Sequence, residues 1–305
     1  MRELLASLVF LVTMTMAVPA AAQAWLPLRG EGSISLSYQN AFGGDHYDTF
    51  GKVINFGPIR SRAASLRIEY GITDRFAVVS EMPYVSSKFT LAPGLIPTAH
   101  DLESKVDDGR YRGTFPDFHT GVRFNAIREP LKVTPFFEVV IPAHSYETFG
   151  HAAPGRHLRE AQTGVYIGRR LTPFLPRAYL DLKSTYSFEQ SLDNLNLDHL
   201  NGDLEVSYVV NDQILLRGFG SVQKTLGGLE APVPTSSPFF EIHDRALRTQ
   251  ASHAGAGITF GLSNNIDAYG VYLTTLAAKN AHAFNTLAVG FSWTFRTRRS
   301  VNVLH

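Results

Sequence analysis

From residue 30 to residue 295 the chain alternates, apolar then polar or small, in stretch after stretch. A period of two marks a β-strand whose two faces meet different surroundings. The last stretch shows it best: Leu287, Val289, Phe291, Trp293 and Phe295 share one face, and Thr286, Ala288, Gly290, Ser292 and Thr294 the other. Ala178, Leu180, Leu182, Tyr186 and Phe188 likewise oppose Tyr179, Asp181, Lys183, Thr185 and Glu189. Leu204, Val206, Tyr208 and Val210 oppose Asp203, Glu205 and Ser207, and Leu66, Ile68 and Tyr70 oppose Arg67 and Glu69. Phe118, Val122 and Phe124 stand against His119, Arg123 and Asn125. Residues 75 to 88, 158 to 169 and 266 to 277 mix their faces.

The connections alternate between short and long. Short ones are Gly71-Ile72-Thr73-Asp74-Arg75, Arg128-Glu129-Pro130, Leu171-Thr172-Pro173, Asn211-Asp212-Gln213 and Ser263-Asn264-Asn265. All are rich in residues that bond their own backbone or tolerate a turn. Long ones cover 43 to 60, 89 to 113, 144 to 157, 190 to 200, 225 to 247 and, more compactly, 277 to 282. Five tight turns and six long connections predict twelve strands: 30 to 42, 61 to 71, 75 to 88, 114 to 126, 131 to 143, 158 to 170, 176 to 189, 201 to 210, 213 to 224, 247 to 262, 266 to 277 and 283 to 295. A strand-turn-strand unit recurs at Tyr70 to Phe76, Val209 to Ile214 and Phe260 to Ile266.

A soluble sandwich also alternates, but its polar face meets bulk water and is dense in Lys and Glu. Here the polar face is Ser, Thr, Gly and scattered charges of both signs, which suits an enclosed lumen. Tyr38, Phe42, Tyr70, Tyr84, Phe188, Tyr208 and Phe295 lie near strand ends, as interfacial aromatic girdles require. The expected fold is all-β: a single closed antiparallel transmembrane β-barrel of about twelve strands, with both ends on the periplasmic side.

Composition narrows the rest. The chain has 305 residues, net charge +1 and a pI near 8.0, a balance that does not call for nucleic acid as partner. It has no cysteine, so disulfides, thiolate metal sites and cysteine nucleophiles are excluded. Met1 and Arg2, the apolar run from Leu4 to Val18 and Ala22-Gln23-Ala24 read as a signal peptide spanning 1–24, with Ala22 as a second cleavage point. One domain, 25–295, follows, then a short basic tail, 296–305, expected in the periplasm. Export and a barrel together place the protein in the outer membrane, in contact with its lipid and dependent on barrel assembly machinery for insertion. Nothing in the residues sets the oligomeric state.

Arg67, Glu69, Glu81, Arg123, Glu138, Asp181, Lys183, Asp203, Glu205 and Arg217 project inward on this register. They either line a lumen selective for a small-molecule solute or pair across strands to fill a narrow barrel. His144, His151 and His157 fall in one outer connection, but their spacing matches no ligand pattern, and no metal or other cofactor is expected. His144-Ser145 raises the idea of an ester or lipid hydrolase; neighbours on a strand point to opposite faces, and no Gly-x-Ser-x-Gly elbow is present. Phosphate loops and dinucleotide-binding glycines are absent too. The chain is not expected to be an enzyme.

Tyr70-Gly71-Ile72-Thr73-Asp74-Arg75-Phe76 followed by Ser80-Glu81-Met82-Pro83-Tyr84-Val85 resembles the strand-turn-strand signature of outer-membrane barrels linked to the meta-cleavage pathway of phenol degradation. Phe137-Glu138-Val139-Val140-Ile141-Pro142, then Gly150 and Pro154-Gly155-Arg156, is similar to that family's strand ending in Pro and its glycine-bearing loop. Where that family has Pro-Thr-Gly, this chain has Pro142-Ala143-His144, and ten residues follow Phe295. The resemblance implies passage of apolar or aromatic compounds across the outer membrane and assigns no site residues. The expected function is a passive channel for small solutes. Alternatives are a hydrolase using Ser145 and His144, or a structural or adhesive barrel acting through its outer loops.

N-terminal sequencing of the protein recovered from outer membranes tests the export reading. Trp25 is the expected first residue, and an uncleaved Met1 would refute it.

Overall fold

The computed structural model describes residues 24–297. Of the expected signal peptide, 1–24, all but Ala24 lies outside the described residues, as does the expected tail, 296–305, beyond Thr297. In order, the strands are β1 (Glu31–Tyr47), β2 (Val53–Ile54), β3 (Ile59–Thr73), β4 (Phe76–Phe89), β5 (Arg112–Thr114), β6 (Asp117–Phe124), β7 (Lys132–Pro142), β8 (Glu160–Arg170), β9 (Ala178–Glu189), β10 (His199–Asn211), β11 (Ile214–Thr225), β12 (Gln250–Ser263), β13 (Ile266–Lys279) and β14 (Ala281–Arg296). Two short helices, α1 (Ala99–Glu103) and α2 (His243–Ala246), sit in long connections. β2 and β5 are short additions to outer connections, which leaves twelve barrel strands.

Each barrel strand pairs antiparallel with the next, and β14 pairs with β1, so the sheet has no free edge. The closing register runs from Glu31 opposite Arg296 to Tyr47 opposite Ala281. At this seam Leu36 and Phe291 face outward, while Ser35 and Ser292 face inward and share a hydrogen bond of 3.0 Å. Leu36, Leu287 and Phe291 each leave 57 % of their surface outside the protein. Such a band is a liability in water and a requirement in lipid, where only helices and closed barrels satisfy every backbone group. Tyr38, Phe42, Tyr84, Phe188 and Tyr208 are exposed on the same surface; Tyr70 and Phe295 are half-buried and stack on each other, centroids 6.4 Å apart.

The recurring strand-turn-strand units share a backbone feature that alternation did not reveal. The register slips between Gly71 and Thr73, between Val209 and Asn211, and between Gly261 and Ser263. One extra residue just before each tight turn bends and twists the strand at the periplasmic rim. Asn211 then accepts the backbone N–H of Gln213 at 2.9 Å, the local bond expected of a turn Asn.

Two expectations change. The connection at 277 to 282 narrows to Asn280, held at φ +49°, a conformation Asn tolerates better than most residues. The interior is also not uniformly polar. Tyr269, Val271, Leu273 and Ala288 form a buried inward cluster with Phe219 against it, which is why 266 to 277 reads as mixed. Ala77 and Val79 face inward for the same reason in β4.

Leu287→Arg puts a charge on the lipid face near the middle of β14 and is expected to cost about 2–4 kcal/mol. Urea unfolding in phospholipid vesicles, followed by tryptophan fluorescence, measures it.

Candidate functional site

The twelve strands enclose a cavity of about 270 Å³. Eight of the ten inward residues named from the sequence line it: Arg67, Glu81, Glu138, Asp181, Lys183, Asp203, Glu205 and Arg217. Glu69 and Arg123 lie nearer the periplasmic rim, joined to each other through Arg123 Nη1 and Glu69 Oε1 at 3.3 Å.

Opposite charges meet because register places them opposite each other. Arg67 and Glu81 are cross-strand partners and pair at 3.1 Å, with Ser65 Oγ donating to the same carboxylate at 2.5 Å. Arg217 donates to both oxygens of Glu205, Nε to Oε1 at 2.8 Å and Nη2 to Oε2 at 2.6 Å, the planar fork that arginine offers a carboxylate. Arg123 is 2 % exposed, donates to the Tyr166 hydroxyl at 3.0 Å and lies 4.6 Å from that ring's centroid. Lys183 sits opposite Asp203 in register, with its ammonium 5.2 Å from the Phe136 ring and 5.3 Å from Tyr166. The wall thus alternates between fixed ion pairs and aromatic faces.

A second charged group, towards the outer end, was not singled out from the sequence. His199 Nε2 lies 3.2 Å from Glu160 and its Nδ1 3.6 Å from Glu189, which also pairs with Arg156. All four line the cavity. Glu160 begins β8, whose faces read as mixed, and Arg156 comes from a connection, so alternation gave no direction for either.

Both ends of the bore are crossed by chain. At the periplasmic end the segment before β1 runs across the lumen from β8 and β9. The Ala24 N–H donates to Asp181 Oδ1 at 3.3 Å, Thr134 Oγ1 donates to the Ala24 carbonyl at 2.9 Å, and Trp25 meets Tyr179 edge-on at 5.9 Å. Gly168 and Gly71 permit this approach: a Cβ would lie 2.4 Å from Ala24 Cβ at the first and 2.3 Å from the Leu28 carbonyl oxygen at the second. At the outer end, the connection between β7 and β8 reaches across to the far wall, where Ala152 and Ala153 pack with Ala41, Ile59, Phe89 and Phe284. The connection between β11 and β12 sets Ala231, Val233 and Leu247 against Ile54 and Phe56. Arg245 ties the two crossings together, donating to the carbonyls of Arg156 at 2.7 Å and His157 at 2.9 Å.

His144, His151 and His157 do not converge. His144 and His157 flank Tyr146, with ring centroids 6.0 Å and 5.1 Å away. His151 instead stacks on Phe89 at 3.9 Å and meets His100 at 4.9 Å. The Tyr146 hydroxyl donates to Asp117 at 3.0 Å, and burial together with that carboxylate holds the phenol well above its usual range. The His144 ring is engaged by Thr114 Oγ1 at 2.5 Å and by the Ser145 carbonyl oxygen at 2.6 Å.

No protein-family profile matches this chain, and no curated protein sequence does. Solved structures do. The COG4313 outer membrane channel from Pseudomonas putida F1 is 11 % identical and superimposes with a TM-score of 0.68 over 91 % of this chain and 100 % of that one. The NanC porin is 10 % identical, with a TM-score of 0.50 over 85 % of this chain and 98 % of that one. At such identity the likeness is one of fold. With the lipid-facing band and the closed seam, it identifies an outer-membrane β-barrel.

Arg217→Met strands the Glu205 carboxylate inside the wall and is expected to cost about 3–5 kcal/mol, the usual penalty for breaking a buried pair. Adding Glu205→Gln is expected to restore most of the loss. A double-mutant cycle from urea unfolding in vesicles reads both effects.

Proposed function

We propose that the protein is a passive outer-membrane channel for small solutes, apolar and aromatic compounds among them. The observation that carries this reading is the interior cavity, bounded both by paired charges and by aromatic faces. Charged groups keep the bore hydrated, and with eight carboxylate side chains against four of arginine and lysine on its wall the lining leans acidic, which favours cations over anions. Tyr166 and Phe219, both on the cavity wall, add flat apolar surface on which a ring could rest. The fold shared with a named outer membrane channel and a porin supports the conduit. The resemblance of Tyr70 to Val85 and of Phe137 to Arg156 to barrels of the meta-cleavage pathway supports the solute class. The ten inward charges are then transport residues, those on the cavity wall by contact and Glu69 and Arg123 by holding the rim.

Passage requires the two crossings to yield. The periplasmic strap is the lighter of them: once the signal peptide is removed after Ala24, residues 25–30 hold the far wall chiefly through the Trp25 ring, edge-on to Tyr179. The His144 ring is engaged by Thr114 and the Ser145 carbonyl oxygen, away from the Ser145 hydroxyl, which speaks against this pair acting as a hydrolase.

Reconstitution into planar bilayers and liposomes tests it. Wild-type protein is expected to conduct ions and admit small aromatic solutes, and Trp25→Ala to raise the open fraction several-fold. Neither conductance nor flux from the wild type or the strap variant would overturn the proposal.

A further inference from the structure

Above the cavity, outside its lining, the outer connections bury a group of histidines and carboxylates that the channel does not use. His100 stands on α1, between β4 and β5; His243 and Asp244 open α2, between β11 and β12. None is more than 4 % exposed. Donor atoms of these three side chains lie within 4.8 Å of one another. His100 Nε2 is 2.8 Å from Asp244 Oδ2, and His243 Nε2 is 3.3 Å from Asp244 Oδ1. Two donors on a tetrahedral zinc ion, with bonds near 2.0–2.1 Å, stand roughly 3.4 Å apart, so the side chains are already close to that spacing.

We propose that His100, His243 and Asp244 bind a divalent transition-metal ion of the zinc class, which pins the outer connections over the mouth of the barrel.

The proton inventory at His243 carries the argument. Its Nδ1 faces the Phe240 carbonyl oxygen, which can only accept, so that nitrogen holds the ring proton. In the neutral ring Nε2 then presents a lone pair, and it is buried without a hydrogen-bond partner. What it faces is Asp244 Oδ1, likewise buried and unpartnered by a hydrogen bond. Two acceptors 3.3 Å apart in a dry setting repel each other unless a cation lies between them.

The surroundings are those of a supported site. A histidine ligand commonly donates its other ring N–H to a backbone carbonyl, as His243 does to Phe240. Asp244 Oδ2 is oriented by the Gly150 N–H at 2.7 Å, which brings the β7–β8 connection into the same structure. His151 borders the group, its ring 4.9 Å from His100 and its Nε2 3.3 Å from Asp101. Two imidazoles and one carboxylate suit zinc, cobalt or nickel better than calcium or magnesium, which favour oxygen-only shells. At least one coordination position remains for water.

Full-length barrel in detergent, stripped with EDTA and titrated with zinc chloride by calorimetry, tests the proposal. Saturable one-to-one binding is expected, with slower backbone hydrogen exchange confined to the segments around α1, Gly150 and α2. Asp244→Asn and His243→Phe are each expected to weaken binding by roughly 100-fold or more, while His144→Ala leaves it unchanged. Phenylalanine preserves the stacking of residue 243 on Phe240, and heat-resistant gel mobility confirms that each variant has folded. If neither variant folds, the exchange map of the wild type decides. Absence of saturable zinc binding, affinity unchanged in both folded variants, or protection lying elsewhere would overturn it.

Discussion

Everything in this molecule depends on backbone hydrogen bonding in a medium without water. A strand edge left open in lipid costs several kcal/mol for each unpaired group, so the sheet must end by pairing with its own beginning. β1 and β14 do this along their whole length, from Glu31–Arg296 to Tyr47–Ala281. Once the ring is closed, every side chain is either outside in lipid or inside, and the alternation along each strand is a direct consequence. Ser35 and Ser292 inside, with Leu36 and Phe291 outside, show both surroundings meeting across one pair of hydrogen-bonded strands.

Closure creates a second problem, an enclosed volume that must be filled, hydrated or both. The chain uses all its polar means at once. Arginine forks grip carboxylates across strands, as Arg217 does with Glu205, and aromatic rings shield the remaining cations, as Tyr166 does for Arg123 and Lys183. Fixed pairs of this kind hold the bore in shape, while the carboxylates in excess over arginine and lysine leave its wall acidic. Apolar clusters between them, such as Tyr269, Val271 and Leu273, break the simple rule of apolar outside and polar inside. They also give the interior the mixed character on which the proposed solute preference rests.

The ends of the bore are governed by different physics. Periplasmic turns are short and locally encoded, three of the five with a bulge and an Asn, Asp or Ser. The outer connections are long enough to fold on one another into a small core of their own, built from Ala41, Ile59, Phe89, Ala152, Ala153 and Phe284. Beside that core the buried histidines gather, and with them the cluster proposed to hold a metal ion.

Twelve strands, their approximate ends, the five tight turns and the inward set of charges were all legible in the sequence, because a two-residue period needs only neighbours along one strand to express itself. Arg67 and Glu81 could be assigned to the interior without knowing that they face each other. Local reading failed where the determining contact was distant. Ala24 meets Asp181 and Thr134, Arg156 meets Glu189, and His100 meets Asp244, in each case across strands or loops far apart in the chain. Proximity in sequence even misled, since His151 leaves His144 and His157 for partners on other connections. The sequence by itself determined a closed barrel with a lipid face and an inner face, because strand periodicity is a property of the local chain. Only the tertiary structure decided what crosses the bore and which buried groups meet there, because those contacts come from loops whose course no repeating pattern dictates.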